Sequence, residues 1–305
     1  MVPLTAFLRL TRFEHAIMLA IAVLIGEIIA GGSIPLFSFA ILLSLLVPIF
    51  SEMGSFALND YLDIGTDKLN KRNDRPLVTG EIVPQFALWF SVISILVSVL
   101  LSYFINIYAF GIAIIFNILA IAYNYKLKDL PLAGNIYIGL SMAIPFLFGS
   151  VVVRNSIIFS PTILSIFAIA FIAGVAREII KSVEDMEGDK KARKSNTLPI
   201  LIGADNSRRL ASLLYLVFVP LAFAPFYFCM EILSNFHADK ILQFCPGLKA
   251  NIVPLALVAI ADLGVLYLAY LVFTDSSNRA LKKARNLSLL FLFIGLMGLL
   301  IGALG

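Results

Sequence analysis

Charge is scarce in this chain. Of 305 residues, only 14% are Asp, Glu, Lys or Arg, while 60% are apolar. A soluble domain carries about 25% charged residues, and a water-facing surface cannot be built from so few. Cysteine is equally thin. Cys229 and Cys245 have no metal-ligand spacing and no histidine near enough to complete a site, so they indicate neither a thiolate metal centre nor a redox compartment. The formal net charge of +4 is small, and the basic residues fall in short clusters between apolar runs, which removes nucleic acid from the expected partners. Low-complexity linkers are missing, as is anything resembling a soluble domain. With a mean hydropathy of +0.97, the solvent that fits is the lipid bilayer.

Apolar runs long enough to cross a bilayer, about 20 residues each, occur nine times: roughly 14–31, 36–58, 85–105, 108–125, 133–153, 160–181, 209–233, 251–274 and 286–304. The first is short and interrupted by Gly26 and Glu27. Arg9 and Arg12 precede it, but no small-x-small cleavage pattern follows, so it reads as a retained membrane helix rather than a signal peptide. The expected fold is all-α, one transmembrane domain over 1–305 with nine spanning helices. Eighteen Lys and Arg fall in one alternate set of connecting segments and three in the other, Arg154, Lys240 and Lys249. By the positive-inside rule the N-terminus is expected in the cytosol and the C-terminus outside.

The longest polar stretches are about 59–84 and 182–208, and each opens on carboxylates. The first begins Asn59-Asp60-Tyr61-Leu62-Asp63-Ile64-Gly65-Thr66-Asp67. At 100° per residue, Asp60, Asp63 and Asp67 share a helix face, with Asn59 beside Asp63 at i, i+4. Carboxylates stacked this way repel one another unless something positive sits among them. A divalent cation is the economical answer. The second stretch reads Glu184-Asp185-Met186-Glu187-Gly188-Asp189, where Asp185 and Asp189 form another i, i+4 pair. Both clusters follow even-numbered spans, four spans apart, as a diverged internal duplication would place them.

An all-oxygen ligand set suits Mg²⁺, which keeps water and binds through a few carboxylates plus substrate phosphates. Two such clusters face to face can hold a diphosphate through bridging ions. Cations for the remaining phosphate charge lie nearby: Arg72, Arg75, Lys126, Lys128 and Lys181. Solvated loops obeying the positive-inside rule also produce charged helix ends, but not two acidic clusters in matching position and parity.

The run Asn59-Asp60-x-x-Asp63-x-x-x-Asp67, continued by Asn70-x-Arg72-x-x-Arg75-Pro76 and Gly80-Glu81-Ile82, resembles the signature of the UbiA superfamily of intramembrane prenyltransferases. Asp185-x-Glu187-Gly188-Asp189 with Thr197-Leu198-Pro199 and Gly203 resembles its second Asp-rich motif, and Tyr123, Lys126 and Lys128 with Gly134-Asn135 its third-loop motif. The resemblance runs from the first span to about residue 209. It implies nine helices around a central cavity with a cytosolic loop cap, and transfer of an isoprenyl group with two Mg²⁺ ions bridging the diphosphate. It also implies roles. Asn59, Asp60, Asp63, Asp67, Asp185 and Asp189 would hold metal; Arg72, Arg75, Lys126, Lys128 and Lys181, with Asn59, would grip phosphate; Tyr123 would join the catalytic set. The N-terminal Arg12-Phe13-Glu14-His15 departs from the family's usual element, in a region expected near the acceptor.

On this reading an allylic diphosphate ionises, fixed cations and Mg²⁺ stabilise the pyrophosphate, and a recessed apolar site keeps water from the carbocation. Aromatic faces can stabilise that cation, with Tyr61 and Tyr123 the rings that flank the motifs. Polar residues within the spans are Glu27, Glu52, Asn117, Arg177, Glu178 and Asp262, and such groups usually face a cavity. Glu52, about 10 Å deeper than Asn59 by helical rise, and His15 are candidates for the acceptor pocket; a helix–helix hydrogen bond and an interfacial site are their rival readings. The expected partners are the bilayer, a long-chain prenyl diphosphate such as geranylgeranyl diphosphate, and a lipophilic acceptor. That acceptor is either an aromatic quinone precursor or a geranylgeranylglyceryl phosphate, and no obligate protein partner is implied. Two other functions compete with this one. A phosphatidyl-type alcohol transferase would open Asp-Gly-x-x-Ala-Arg, which neither cluster does. A cation or phosphate transporter would place its sites near the midplane.

Overall fold

A computed structural model describes residues 2–33, 38–69, 72–192, 195–226, 248 and 251–305; the side chains of 188, 189, 191 and 192 are outside that set. The described residues are helical and connected by short turns. They form α1 (Leu4–Thr11), α2 (Phe13–Gly31), α3 (Phe39–Leu69), α4 (Pro76–Thr79), α5 (Pro84–Tyr103), α6 (Ile107–Tyr125), α7 (Ala133–Arg154), α8 (Pro161–Ala192), α9 (Leu198–Ile202), α10 (Ala204–Ala222), α11 (Ile252–Thr274) and α12 (Asn278–Leu304). Nine of these are long and apolar enough to cross a membrane. The later part of the seventh expected span, with Cys229 and Cys245, lies outside the described residues.

The spans differ from expectation at their ends. Counting apolar residues stops α3 at 58 and α8 at 181, yet these helices continue to Leu69 and Ala192. No proline interrupts either extension, so the backbone keeps its hydrogen bonds beyond the hydrocarbon and carries both acidic clusters on rigid helix. The last span likewise begins at Asn278, where the Ser277 hydroxyl accepts the Ala280 N–H at 3.2 Å and caps it.

Helices α2 and α8 run through the middle. Their apolar windows are 56% buried, against 28% for α5 at the rim. Rim helices turn large apolar side chains outward, such as Trp89, Leu96 and Leu100 on α5, as a lipid solvent allows. Helices α2 and α7 touch backbone to backbone. A Cβ added at Gly26 would stand 2.2 Å from the Phe146 carbonyl oxygen, and one at Gly149 2.0 Å from that of Val23, so only glycine permits the contact. Several polar groups inside the bundle find partners. Ser44 donates to Glu27 in a short bond, Ser51 donates to Asn117 at 3.0 Å, and Ser98 donates to the Val47 carbonyl at 3.0 Å.

The duplication seen in the sequence has a structural counterpart. Each long acidic helix is followed by a short helix with proline in its first turn, α4 or α9, then by a glycine at positive φ, Gly80 (79°) or Gly203 (87°), and then by the next span. At the same end of the fold as α4, amphipathic α1 packs Ala6 and Leu10 against Ala57, Leu77 and Ile82. A left-handed residue, Arg12 (φ 44°), breaks it from α2.

Candidate active site

Because α3 is unbroken through residue 69, Asp60, Asp63 and Asp67 lie on one face, and each meets a cation. Asp60 is 1% exposed; its Oδ1 accepts from Arg12 and pairs with Arg75, both at 3.1 Å. Asp63 accepts from Lys128 Nζ at 2.6 Å and from Asn59 Nδ2 at 3.1 Å, and that amide also donates to Asn124 at 2.9 Å. Asp67 faces Arg75 at 3.9 Å. The break at Arg12 is what turns its side chain inward, where it also lies 4.0 Å above the Phe56 ring.

The second cluster meets the first through Arg72, which donates to Asp185 at 2.5 Å. Its neighbour Glu184 turns to Arg285 of α12 at 3.0 Å. About two turns earlier on α8, Glu178 takes Lys181 at 2.9 Å and the Tyr123 hydroxyl at 3.4 Å. The segment after α8 is pinned to the 3-10 turn Leu127–Asp129: Ser195 Oγ donates to Asp129 at 2.9 Å, and the Asn196 N–H donates to its carbonyl at 2.9 Å. That tie brings the Thr197 hydroxyl to the edge of the acidic pocket.

These residues enclose one cavity in two chambers. The acidic chamber, about 90 Å³, is lined by Asp63, Asp67, Lys128 and Asp185. It shares Arg12, Asn59, Arg72, Arg75, Tyr123 and Lys181 with a larger chamber of about 400 Å³. The larger chamber adds His15, Glu52, Arg177 and Arg285. Below it lie two smaller cavities between the spans. One, of about 70 Å³, shares Glu52, Tyr137 and Ser141 with the chamber; the other, of about 100 Å³ and almost wholly apolar, shares Met142. Tyr123 and Tyr137 stack at 4.7 Å on the chamber wall.

The charges are set by two opposing effects. Burial, reinforced by neighbouring Arg75, lowers Arg12 to about 10, which leaves it cationic at neutral pH. Burial also opposes the charge of Arg72, but Asp185, Asp74, Asp67 and Glu184 outweigh it and raise the pKa. The cavity therefore presents a dense set of held cations, with carboxylate oxygens from two helices between them. Such a surface suits a polyanion that brings its own countercharge.

The structure draws Asn59, Asp60, Asp63, Asp67, Arg72, Arg75, Tyr123, Lys128, Lys181 and Asp185 together, with His15 and Glu52 in the same cavity. The Asp189 side chain lies outside the described residues. Two of the expected residues lie apart from the cavity. Lys126 is exposed and lines neither chamber: α6 ends there (φ −150°, ψ −39°), and the tight turn that follows presents Lys128 to Asp63 instead. Tyr61 packs beside Ala6, Leu10 and Leu77 rather than facing the cavity. Arg12, Arg75 and Lys128 also lie among the stacked carboxylates. Among the described residues no three acidic or histidine side chains converge closely enough to hold an ion unaided. The cavity also holds residues to which the sequence assigns no role, among them Arg12, Tyr137, Arg177, Glu178, Arg285 and Asn124. Arg177 and Glu178 carried the signal of ionisable groups inside a span, whereas Arg285 and Asn124 carried none.

The UbiA prenyltransferase family model matches residues 19–296. Digeranylgeranylglyceryl phosphate synthase of Archaeoglobus fulgidus is 35% identical, over 98% of this chain and 96% of its own. A solved digeranylgeranylglyceryl phosphate synthase structure is similar at 30% identity and a TM-score of 0.70, covering 99% of this chain and 98% of that one. A UbiA homologue from Archaeoglobus fulgidus, solved with DMAPP and Mg²⁺, shares the fold at 21% identity and a TM-score of 0.63, covering 96% and 98%. With the motifs, the nine spans and the paired acidic helix ends, these likenesses make this chain an intramembrane prenyltransferase that belongs to the UbiA family.

Proposed function

We propose that this protein moves a long prenyl group, such as geranylgeranyl, from its diphosphate to the free hydroxyl of a geranylgeranylglyceryl phosphate, releasing pyrophosphate. The observation that carries this reading is the meeting of carboxylates from α3 and α8 in one cation-ringed chamber above apolar cavities. The name borne by the relative at 35% identity supports the acceptor assignment. So does the cationic wall of the larger chamber, which suits a phosphate better than a neutral ring.

The residues fit Mg²⁺. Their donors are all oxygen, and Asp60 Oδ2 is buried with no hydrogen-bond partner. Mg²⁺ usually takes one or two carboxylates and completes its shell with water and substrate phosphate, so no carboxylate triad is required. Asn59, Asp60, Asp63, Asp67, Asp185 and Asp189 are the residues assigned to hold it, as two ions. When bound, it supplies Lewis-acid stabilisation to the departing pyrophosphate.

The chain's own groups do the rest. Arg12, Arg72, Arg75 and Lys128 exchange their carboxylate partners for phosphate oxygens. The C1–O bond of the allylic diphosphate breaks, and its electrons leave with pyrophosphate. Tyr123 and Tyr137 offer ring faces to the allylic cation. The acceptor hydroxyl oxygen bonds to C1 and gives its proton to the released pyrophosphate, leaving an ether. The chamber opens toward apolar cavities, so the prenyl tails occupy space that water would otherwise fill. We assign the acidic chamber and the N-terminus to the cytosolic face and the C-terminus to the outer one, from the Lys and Arg bias.

The test is a membrane-embedded assay with labelled geranylgeranyl diphosphate, with and without Mg²⁺, offering geranylgeranylglyceryl phosphate or an aromatic acid. A digeranylgeranyl ether and pyrophosphate from the first acceptor are expected. Product from the aromatic acid alone would overturn the acceptor assignment, and no Mg²⁺-dependent pyrophosphate release would overturn the reaction.

A further inference from the structure

Within the larger chamber the anions and cations do not balance. Asp60 is matched by Arg12 and Arg75, Asp63 by Lys128, and Asp185 by Arg72. Two glutamates of α8 are matched too, Glu178 by Lys181 at 2.9 Å and Glu184 by Arg285 at 3.0 Å. Arg177 is left over. It lines the chamber, its Nε is buried with no hydrogen-bond partner, and it forms no ion pair among the described residues. One further cation borders it, Arg285 of α12, close enough to interact with its charge, and the His15 imidazole of α2 faces Arg177, Arg12 and Lys181 together. Of the nearby carboxylates, Glu178 attracts its charge but is held by Lys181, and Glu52, in the same chamber, acts on Arg12, so a guanidinium with no ion pair inside the bundle is costly unless an anion joins it.

That anion is not the donor's diphosphate. Arg177, Lys181 and Asp185 lie at i, i+4 and i+8 on α8, so Arg177 sits about 12 Å below Asp185 by helical rise. It faces the room below the acidic chamber, and Lys181, between the two, lines both. We infer that Arg177, flanked by His15 and Arg285, receives the phosphate of the acceptor and so makes this enzyme select a phosphorylated glycerol ether over its neutral alcohol. An acceptor phosphate seated there leaves the glycerol hydroxyl on the side of Lys181, facing the prenyl diphosphate above. Arginine suits the task because its fork gives phosphate two parallel hydrogen bonds, and a site built for such an anion rejects the analogue lacking it. The inference rests on the acceptor proposed above.

The experiment compares wild type, Arg177→Gln and Arg177→Lys in the same membrane preparation. The acceptors are geranylgeranylglyceryl phosphate and the same ether without phosphate. For Arg177→Gln, KM for the phosphorylated acceptor should rise about tenfold or more, while KM for geranylgeranyl diphosphate stays unchanged. The preference for phosphorylated over neutral acceptor should fall by the same factor. Arg177→Lys should recover part of it. In a separate readout, the phosphorylated acceptor without Mg²⁺ should raise the melting temperature of wild type and leave that of Arg177→Gln unmoved. Equal acceptor KM and equal preference in wild type and Arg177→Gln overturn the inference, as does a fall in kcat that is the same for both acceptors. If wild type itself refuses the phosphorylated acceptor, the proposed function fails first.

Discussion

Arg72, three residues past the end of the first acidic helix, donates to Asp185, 113 residues away on the second. One guanidinium thus braces the two carboxylate clusters across the cavity. A diphosphate entering between them offers Arg72 a better-matched partner. Arg72→Ala is therefore expected to raise KM for the prenyl diphosphate about tenfold or more, with Arg72→Lys recovering only part because the fork is lost. Equal diphosphate affinity in Arg72→Ala and wild type would remove the residue from the phosphate grip.

Asp63 and Asp185 stand at the centre of the acidic chamber. Asp63→Ala and Asp185→Ala should each lower kcat by about 100-fold or more, the scale seen when an electrostatic catalyst is deleted. Both proteins should still insert and elute as wild type does. The readout is pyrophosphate release at saturating Mg²⁺. Near-normal turnover in either variant would take that cluster out of the reaction.

Lys126 and Lys128 make a sharper pair. They are two residues apart, yet Lys126 is exposed while Lys128 holds Asp63 at 2.6 Å. Lys128→Ala should impair diphosphate binding, and Lys126→Ala should leave kcat and KM within about twofold, the usual range for a surface change. A large loss at Lys126 would mean that the turn after α6 rearranges when substrate binds.

The α2–α7 contact makes a prediction about stability. Gly149→Ala forces a methyl to within 2.0 Å of the Val23 backbone oxygen. Overpacking of this kind costs about 1–3 kcal/mol, so the melting temperature in detergent should drop by several degrees. Gly111→Ala on α6 meets no atom within 4 Å, and should be neutral or slightly stabilising, since alanine is the better helix former.

Sidedness can be read with single cysteines at exposed positions, in a background carrying Cys229→Ser and Cys245→Ser. Asn155→Cys should label with an impermeant thiol reagent on intact cells, whereas Asn73→Cys and Asn196→Cys should label only after permeabilisation. If Asn73 and Asn196 fall on opposite sides, no single diphosphate can bridge the two acidic helix ends.

The bundle and the two clusters were legible because both signals are local: apolar runs of membrane length, and carboxylates at helical spacing. What stayed hidden depends on how distant segments meet. Arg12 was visible only as an orienting charge, since nothing in its neighbourhood announces a left-handed break that aims it at Asp60. Arg285 looked like one more basic residue before the last span, but α12 starts early enough to carry it against Glu184. The extensions of α3 and α8 were missed because hydropathy measures where lipid ends, not where the helix does. Lys126 and Lys128 are not told apart by composition, because a two-residue offset in a 3-10 turn changes which way a side chain points.

The arrangement of a polar chamber directly above apolar cavities among the spans fixes the dimensionality of the reaction. A substrate whose tail lies in those cavities arrives and departs within one leaflet, so encounter is a surface process. The quantity that saturates such an enzyme is the mole fraction of lipid substrate, not its amount per litre. Diluting the membrane with inert phospholipid should slow turnover even at constant total substrate, and adding water should not.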